Sequence, residues 1–335
     1  MLLALGASVL AVEQGGMLDE TSAHRDPAAT ASGVERLAPG FALLAAITWA
    51  LIVLGALVRA HGAGLACPDW PLCFGQVVPE MNLRVAFEYS HRLLAGSVTL
   101  CFAGLALLAW RRTRAGDPIR RRLALAAALL ALQIVLGALT VWHLLAYWTV
   151  TSHLLIGNSV AATFAWTALD LRQRQVSRSE PKASEDQQVG GSALPPAAPR
   201  ERRALAMVLA LLVFQLALGG LVSSRYAGLA CPEWPTCAGG LWFPTFRGTV
   251  GLHLLHRTNG YLLVAALAAL AWICRASPRL TRTARAAAAI ALLQVAVGVA
   301  NVLSGIPVEI TGVHSALAAA LVLTATSAAH AAWGR

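Results

Sequence analysis

Eight stretches of roughly 20 mostly apolar residues recur along the chain, near 41–59, 84–110, 122–142, 148–169, 204–224, 249–273, 284–303 and 311–332. At 1.5 Å rise per residue each can cross a hydrocarbon layer of about 30 Å. A helix satisfies its own backbone hydrogen bonds there, which an open strand or a loop cannot do. An all-α membrane protein of eight transmembrane helices is therefore predicted. The composition agrees: of 335 residues, 57% are hydrophobic and only 13% charged, too few for an ordinary soluble domain.

A net charge of +10 invites a nucleic-acid reading, but the basic residues are sorted by loop rather than gathered on one surface. Arg111, Arg112, Arg114, Arg120, Arg121 and Arg122 lie between helices 2 and 3. Arg172, Arg174, Arg178, Lys182, Arg200, Arg202 and Arg203 lie between helices 4 and 5, and Arg275, Arg279, Arg282 and Arg285 between helices 6 and 7. The other loops hold only Arg59, Arg84, Arg225 and Arg247. The positive-inside rule then puts both termini and the basic loops in the cytoplasm, and the loops after helices 1, 3, 5 and 7 outside. Residues 1–40 read as a tail. Its apolar run from Leu2 to Val12 is too short to span and has no basic region before it, so a secretory signal is not expected. Met17 is an alternative start, which would make residues 1–16 an artefact.

The chain is also a tandem repeat. VRAHGAGLACPDWPLC at 58–73 returns as VSSRYAGLACPEWPTC at 222–237. EYSHR, from Glu88, returns as HLLHR, from His253; Gln133 with Gly137 returns as Gln294 with Gly298, and His153 as His314. Two four-helix halves, 41–169 and 204–332, are predicted. Separated by an even number of crossings, they share one orientation and are expected to be related by a pseudo-two-fold axis along the membrane normal. The polar segment 170–203 reads as a cytoplasmic linker. Each half carries one cysteine pair in an outward loop, Cys67 with Cys73 and Cys231 with Cys237, where an oxidising compartment favours disulfides. Free thiols or a metal site are the alternatives, although neither loop contains a His. Cys101 and Cys274 read as small packing residues.

Ionisable groups inside a membrane mark function by default. His91, His153, His256 and His314 fall on helices 2, 4, 6 and 8, each three to seven residues past its expected start, hence at one depth near the outer surface. A lone His of this kind is commonly just hydrogen-bonded to a neighbouring helix. Two imidazoles per half at one depth instead suit axial ligation of a heme iron from both sides. Glu88 lies one turn from His91 on the same face, a carboxyl able to exchange protons with a reacting group; pairing with Arg84 or Arg92 is the plainer reading. The second half has His253 there, which competes with His256 as a ligand, and the repeat alignment favours His256. The asymmetry makes the first half the catalytic candidate. Arg92 and Arg257 follow the ligand histidines directly and can meet heme propionates or form ion pairs. Gly55, Gly137, Gly219, Gly220 and Gly298 read as close-packing points between helices.

In order, duplication and topology, GLACPDWPLC, EYSHR, TSHLLIGN, GLACPEWPTC, HLLHR and GVHSALA resemble the heme A synthase family over 41–332. The resemblance implies an oxidoreductase of the bacterial inner membrane that converts heme O to heme A for terminal oxidases, oxidising a ring methyl to a formyl group by successive hydroxylations. It implies that His91 and His153 hold the substrate heme O, with Glu88 as the catalytic carboxylate, and that His256 and His314 hold heme b. O2, an unidentified electron donor and the protoheme farnesyltransferase that makes heme O are the implied partners, besides membrane lipid. The cysteine pairs match those of the family, but the presence of both departs from its one-pair pattern. Two other readings stand beside this one. A diheme electron-transfer protein needs the same two sites but gives Glu88 no role. A duplicated transporter would use the histidines as proton relays.

Overall fold

The computed structural model describes residues 33–179 and 197–334. A 3-10 turn, Gly33–Leu37, leads into eight helices: α1 Ala38–Ala60, α2 Leu83–Arg111, α3 Pro118–Trp142, α4 Tyr147–Ser179, α5 Pro199–Ser224, α6 Gly248–Ile273, α7 Pro278–Leu303 and α8 Val308–Trp333. All eight are long and apolar enough to cross a membrane, and the protein is an all-helical, multi-pass membrane protein. The expectations for residues 1–32, including the alternative start, lie outside the described residues, as does most of the linker.

Local chemistry sets the helix starts. Asn82 accepts from the amide of Val85 at 3.0 Å to cap α2, and Asp117 accepts from Ile119 at 2.9 Å to cap α3. Pro118, Pro199 and Pro278 stand in first turns, where their missing N–H costs nothing. Helix α4 runs about ten residues further than its apolar stretch. Its polar end is held by ion pairs from Arg174 to Asp117 and from Arg178 to Glu35, each at 2.9 Å. The α5 helix likewise begins before its apolar stretch, so both helices extend into the segment expected as linker.

Each half has its own apolar core. One cluster draws only on residues between Val34 and Leu171, including Phe41, Phe102 and Phe164; the other only on residues between Ala204 and Ala332, including Leu205, Leu267 and Leu270. The halves meet through α1 against α8, α4 against α5 and α4 against α8. At the end of the helices with the basic loops, Asp170 of α4 pairs with Arg122 of α3 and lies 2.8 Å from the His330 ring of α8. At the opposite end Arg59 donates to the Ser223 hydroxyl at 2.7 Å.

Candidate heme sites

The four intramembrane histidines have one common seat. A Cβ added at Gly55 would lie 3.0 Å from Cε1 of His91, one at Gly137 3.3 Å from His153, one at Gly219 3.3 Å from His256, and one at Gly298 3.0 Å from His314. Each hairpin therefore presses its second helix's imidazole onto a glycine of its first. His91 and His256 each stand eight residues past their helix start, and His153 and His314 six, which is one common depth. His153 is an electrostatic neighbour of His91, and His314 of His256, so the rings approach in pairs, one pair per half.

Interhelical hydrogen bonding, the ordinary reason for a membrane histidine, uses only part of their capacity. Nδ1 of His91, His153 and His314 is buried with no hydrogen-bond partner among the described residues. Gln133 contacts Nε2 of His153 at 3.2 Å, and Gln215 contacts Nδ1 of His256 at 3.2 Å. Among the described residues no three His, Cys, Asp or Glu side chains converge on a point. Paired imidazoles on close-packed glycines, three of them with a buried ring nitrogen unspent, fit a group that takes one ligand from each side, such as heme.

The two halves differ beside these pairs. Glu88 is 5% exposed, accepts from the amide of Cys67 at 2.8 Å and pairs with Arg92. His253, 3% exposed, holds the same position in the second half. Arg257 Nε donates to its Nε2 at 3.1 Å, and its Nδ1 lies 2.9 Å from the carbonyl of Ala227 and 3.4 Å from the amide of Cys231. Both nitrogens of His253 are thus spent, whereas His256 is the ring on the glycine seat.

Arg92 and Arg257, read from the sequence as partners either of propionates or of ion pairs, are committed to their own loops, and Arg92 also to Glu88. Arg92 donates to the carbonyls of Asp69, Leu72 and Cys67 at 2.7, 2.8 and 3.1 Å. Arg257 donates to those of Glu233, Thr236 and Cys231 at 3.0, 3.1 and 2.7 Å. Each guanidinium therefore clamps one cysteine loop over its bundle. The loops are closed by disulfides, Cys67–Cys73 and Cys231–Cys237. Asp69 accepts from the amides of Phe74 and Gly75 at 2.7 Å each, and the amide of Gly75 above all holds its carboxyl below the usual range. Glu233, lowered chiefly by the Thr236 hydroxyl, accepts from Gly239 and Gly240. Of the remaining cysteines, Cys101 is exposed and Cys274 buried.

Sequence reasoning named the histidines and the glycines but not that they meet, and it missed Gln215 and the two acidic loop anchors. The signal for the anchors was present, because Asp69 and Glu233 occupy matching repeat positions.

Known proteins match this sequence over most of its length. Heme A synthase of Shewanella oneidensis is 29% identical over 329 residues, covering 85% of this chain and 93% of that protein. Heme A synthase of Halalkalibacterium halodurans is 30% identical over 295 residues, with the same coverage of 85% and 93%. A protoheme IX farnesyltransferase of Halobacterium salinarum matches over 123 residues at 37% identity, 36% of this chain and 28% of that protein. The model of the COX15-CtaA family, cytochrome oxidase assembly proteins, matches residues 41–86 and 80–326. With all eight helices and both histidine pairs inside or beside that span, the chain belongs to the COX15-CtaA family of cytochrome oxidase assembly proteins.

Proposed function

We propose that this protein is a heme A synthase, an oxidoreductase that converts the ring methyl of heme O to a formyl group by successive hydroxylations. The observation that carries the reading is the fourfold histidine-on-glycine seat, broken between the halves chiefly by Glu88 against His253. In the first half, 41–169, His91 and His153 hold the substrate heme O. In the second, 204–332, His256 and His314 hold heme b; His253 is spent on Arg257 and Ala227, which favours His256 as ligand. When bound there, heme b supplies one-electron transfer.

Glu88, one turn from His91, accepts and returns protons during methyl oxidation. Arg92 pairs with it and fastens the first cysteine loop, so the carboxylate is fixed in place and water is kept off the site by a docked lid. Either arginine would reach a propionate only by giving up loop carbonyls, so both serve here as lid anchors. O2 and an electron donor are the further reactants.

The halves are related by a pseudo-two-fold axis along the membrane normal. In support, α1 packs on α8 as α5 packs on α4, and Arg59 touches Ser223, its own repeat position, which is possible only near such an axis. The protein lies in the bacterial inner membrane with both termini and the basic loops cytoplasmic and the cysteine loops outward, as loop charge and the oxidised cysteines favour. The protoheme farnesyltransferase that makes heme O is the natural physical partner, a reading supported by the stretch like this chain within a protein of that name.

Extraction and chromatography of hemes from protein coexpressed with a heme O-forming farnesyltransferase tests the activity. Heme A is expected alongside heme b; heme b alone would leave a diheme electron-transfer protein.

A further inference from the structure

The two bundles are closed on different sides. In the second half α6 packs closely along α7, and the looser side lies between α5 and α8. In the first half the order is reversed: α1 packs closely along α4, while α2 and α3 meet only over a short stretch. The direction of each opening matters. Helices α5 and α8 face the other half, so protein covers that side. Among the described residues α2 and α3 touch no helix of the second half, so the opening between them faces lipid.

This opening lies beside the substrate site. His91 is carried by α2, and Gly137, the seat of His153, by α3, so the two helices that stand apart bear one ligand and the seat of the other. The outward faces of both helices are apolar and exposed, with Leu93 and Leu100 on α2 at 59% and 75% and Leu132 and Val135 on α3 at 45% and 52%. One repeat position marks the contrast. Gly96 of α2 has open space where a side chain would stand. Its counterpart, Tyr261 of α6, fills that place with a ring whose hydroxyl accepts from the loop indole of Trp234 at 3.1 Å. The matching indole of the first half, Trp70, instead rests against Trp142 at the end of α3, with ring centroids 6.0 Å apart.

We propose that the gap between α2 and α3 is a lateral portal that takes the prenyl chain of the substrate heme from the lipid, while the tetrapyrrole enters between His91 and His153. The inference rests on the assignment of the first half as substrate site. A farnesyl chain has no polar group to satisfy, so an apolar cleft open to acyl chains holds it at no desolvation cost. The closed α6–α7 side has no such path, which matches a heme that stays. Exchange of product for substrate then needs no opening of the cysteine lid.

The test is equilibrium binding of heme O and of protoheme, which lacks the chain, to the first site of protein purified in nanodiscs with its second site filled. Gly96→Tyr, which imports the residue of the closed half, is expected to weaken heme O at least tenfold and to leave protoheme within twofold. Equal weakening of both hemes, or of neither, overturns the portal. If Gly96→Tyr does not fold, a photoactivatable farnesyl probe on the wild-type protein decides: label within 83–142 supports the portal, and label on α1, on α4 or in the second half overturns it. Wild-type protein that binds no heme would remove the functional reading itself, and the portal with it.

Discussion

The first and second halves share one plan and differ most tellingly at Glu88 against His253 and in how closely their second and third helices pack. Both seat two histidines on glycines, both hang a disulfide-closed loop on a single arginine, and both anchor that loop with an acidic residue in the CP(D/E)WP turn. Glu88 and His253 do equivalent structural work at equivalent positions, each tying its arginine to its loop. A carboxylate at this position is therefore not needed for the lid, since the second half docks its own with an imidazole there. What Glu88 adds beyond that role is a carboxylate one turn from His91, the proposed heme ligand, in the half whose second and third helices pack loosely.

Exchanging these residues is the sharpest way to break the comparison. Glu88→His should keep the loop docked and hemes bound, yet lower heme A formation by about 100-fold or more, the usual worth of a positioned acid or base. Chromatography of extracted hemes would show heme O or a hydroxylated intermediate accumulating. The reciprocal His253→Glu should not move the reaction to the second half. Full activity in Glu88→His would mean that the two halves differ for another reason.

A smaller effect is expected at the seats. Gly55→Ala and Gly298→Ala each place a methyl 3.0 Å from an imidazole carbon, and the displaced ring should cost about tenfold in heme affinity, overpacking being worth roughly 1–3 kcal/mol. Gly55→Ala should lower heme O binding and spare heme b, with the reverse for Gly298→Ala, as read from Soret titrations. Loss of both hemes in either variant would show that the sites are not independent.

The smallest effect is in acid. Asp69 and Glu233 have depressed folded-state pKa values, so each supports its loop above its ordinary value, 3.8 or 4.5, and loses that support as pH falls through the lower folded value. Amide exchange at Phe74 and Gly75 should be protected to the same degree from pH 7 to about 5 and become less protected in stronger acid. Asp69→Asn should remove the acid dependence in the first loop and leave it in the second.

Much of this was legible in the sequence, because membrane physics and duplication are both written in one dimension. Hydropathy alone yields eight helices, and the repeat assigns the histidines, the cysteines and the break at Glu88. Three features were not legible. The length of α4 depends on ion pairs from Arg174 and Arg178 to residues far away in the chain, Asp117 and Glu35. The direction of the Arg92 and Arg257 side chains is a choice between propionate and loop that spacing cannot make. The separation of α2 from α3 is a packing property, since both halves carry similar small residues along these helices.

The division of labour between the halves is the central claim, and the hemes retained by His153→Ala and His314→Ala test it most directly. In purified protein from cells that make heme O, His153→Ala should lose heme O and heme A but keep heme b, and His314→Ala should lose heme b. Loss of the same heme from both variants would contradict two separate sites with separate jobs.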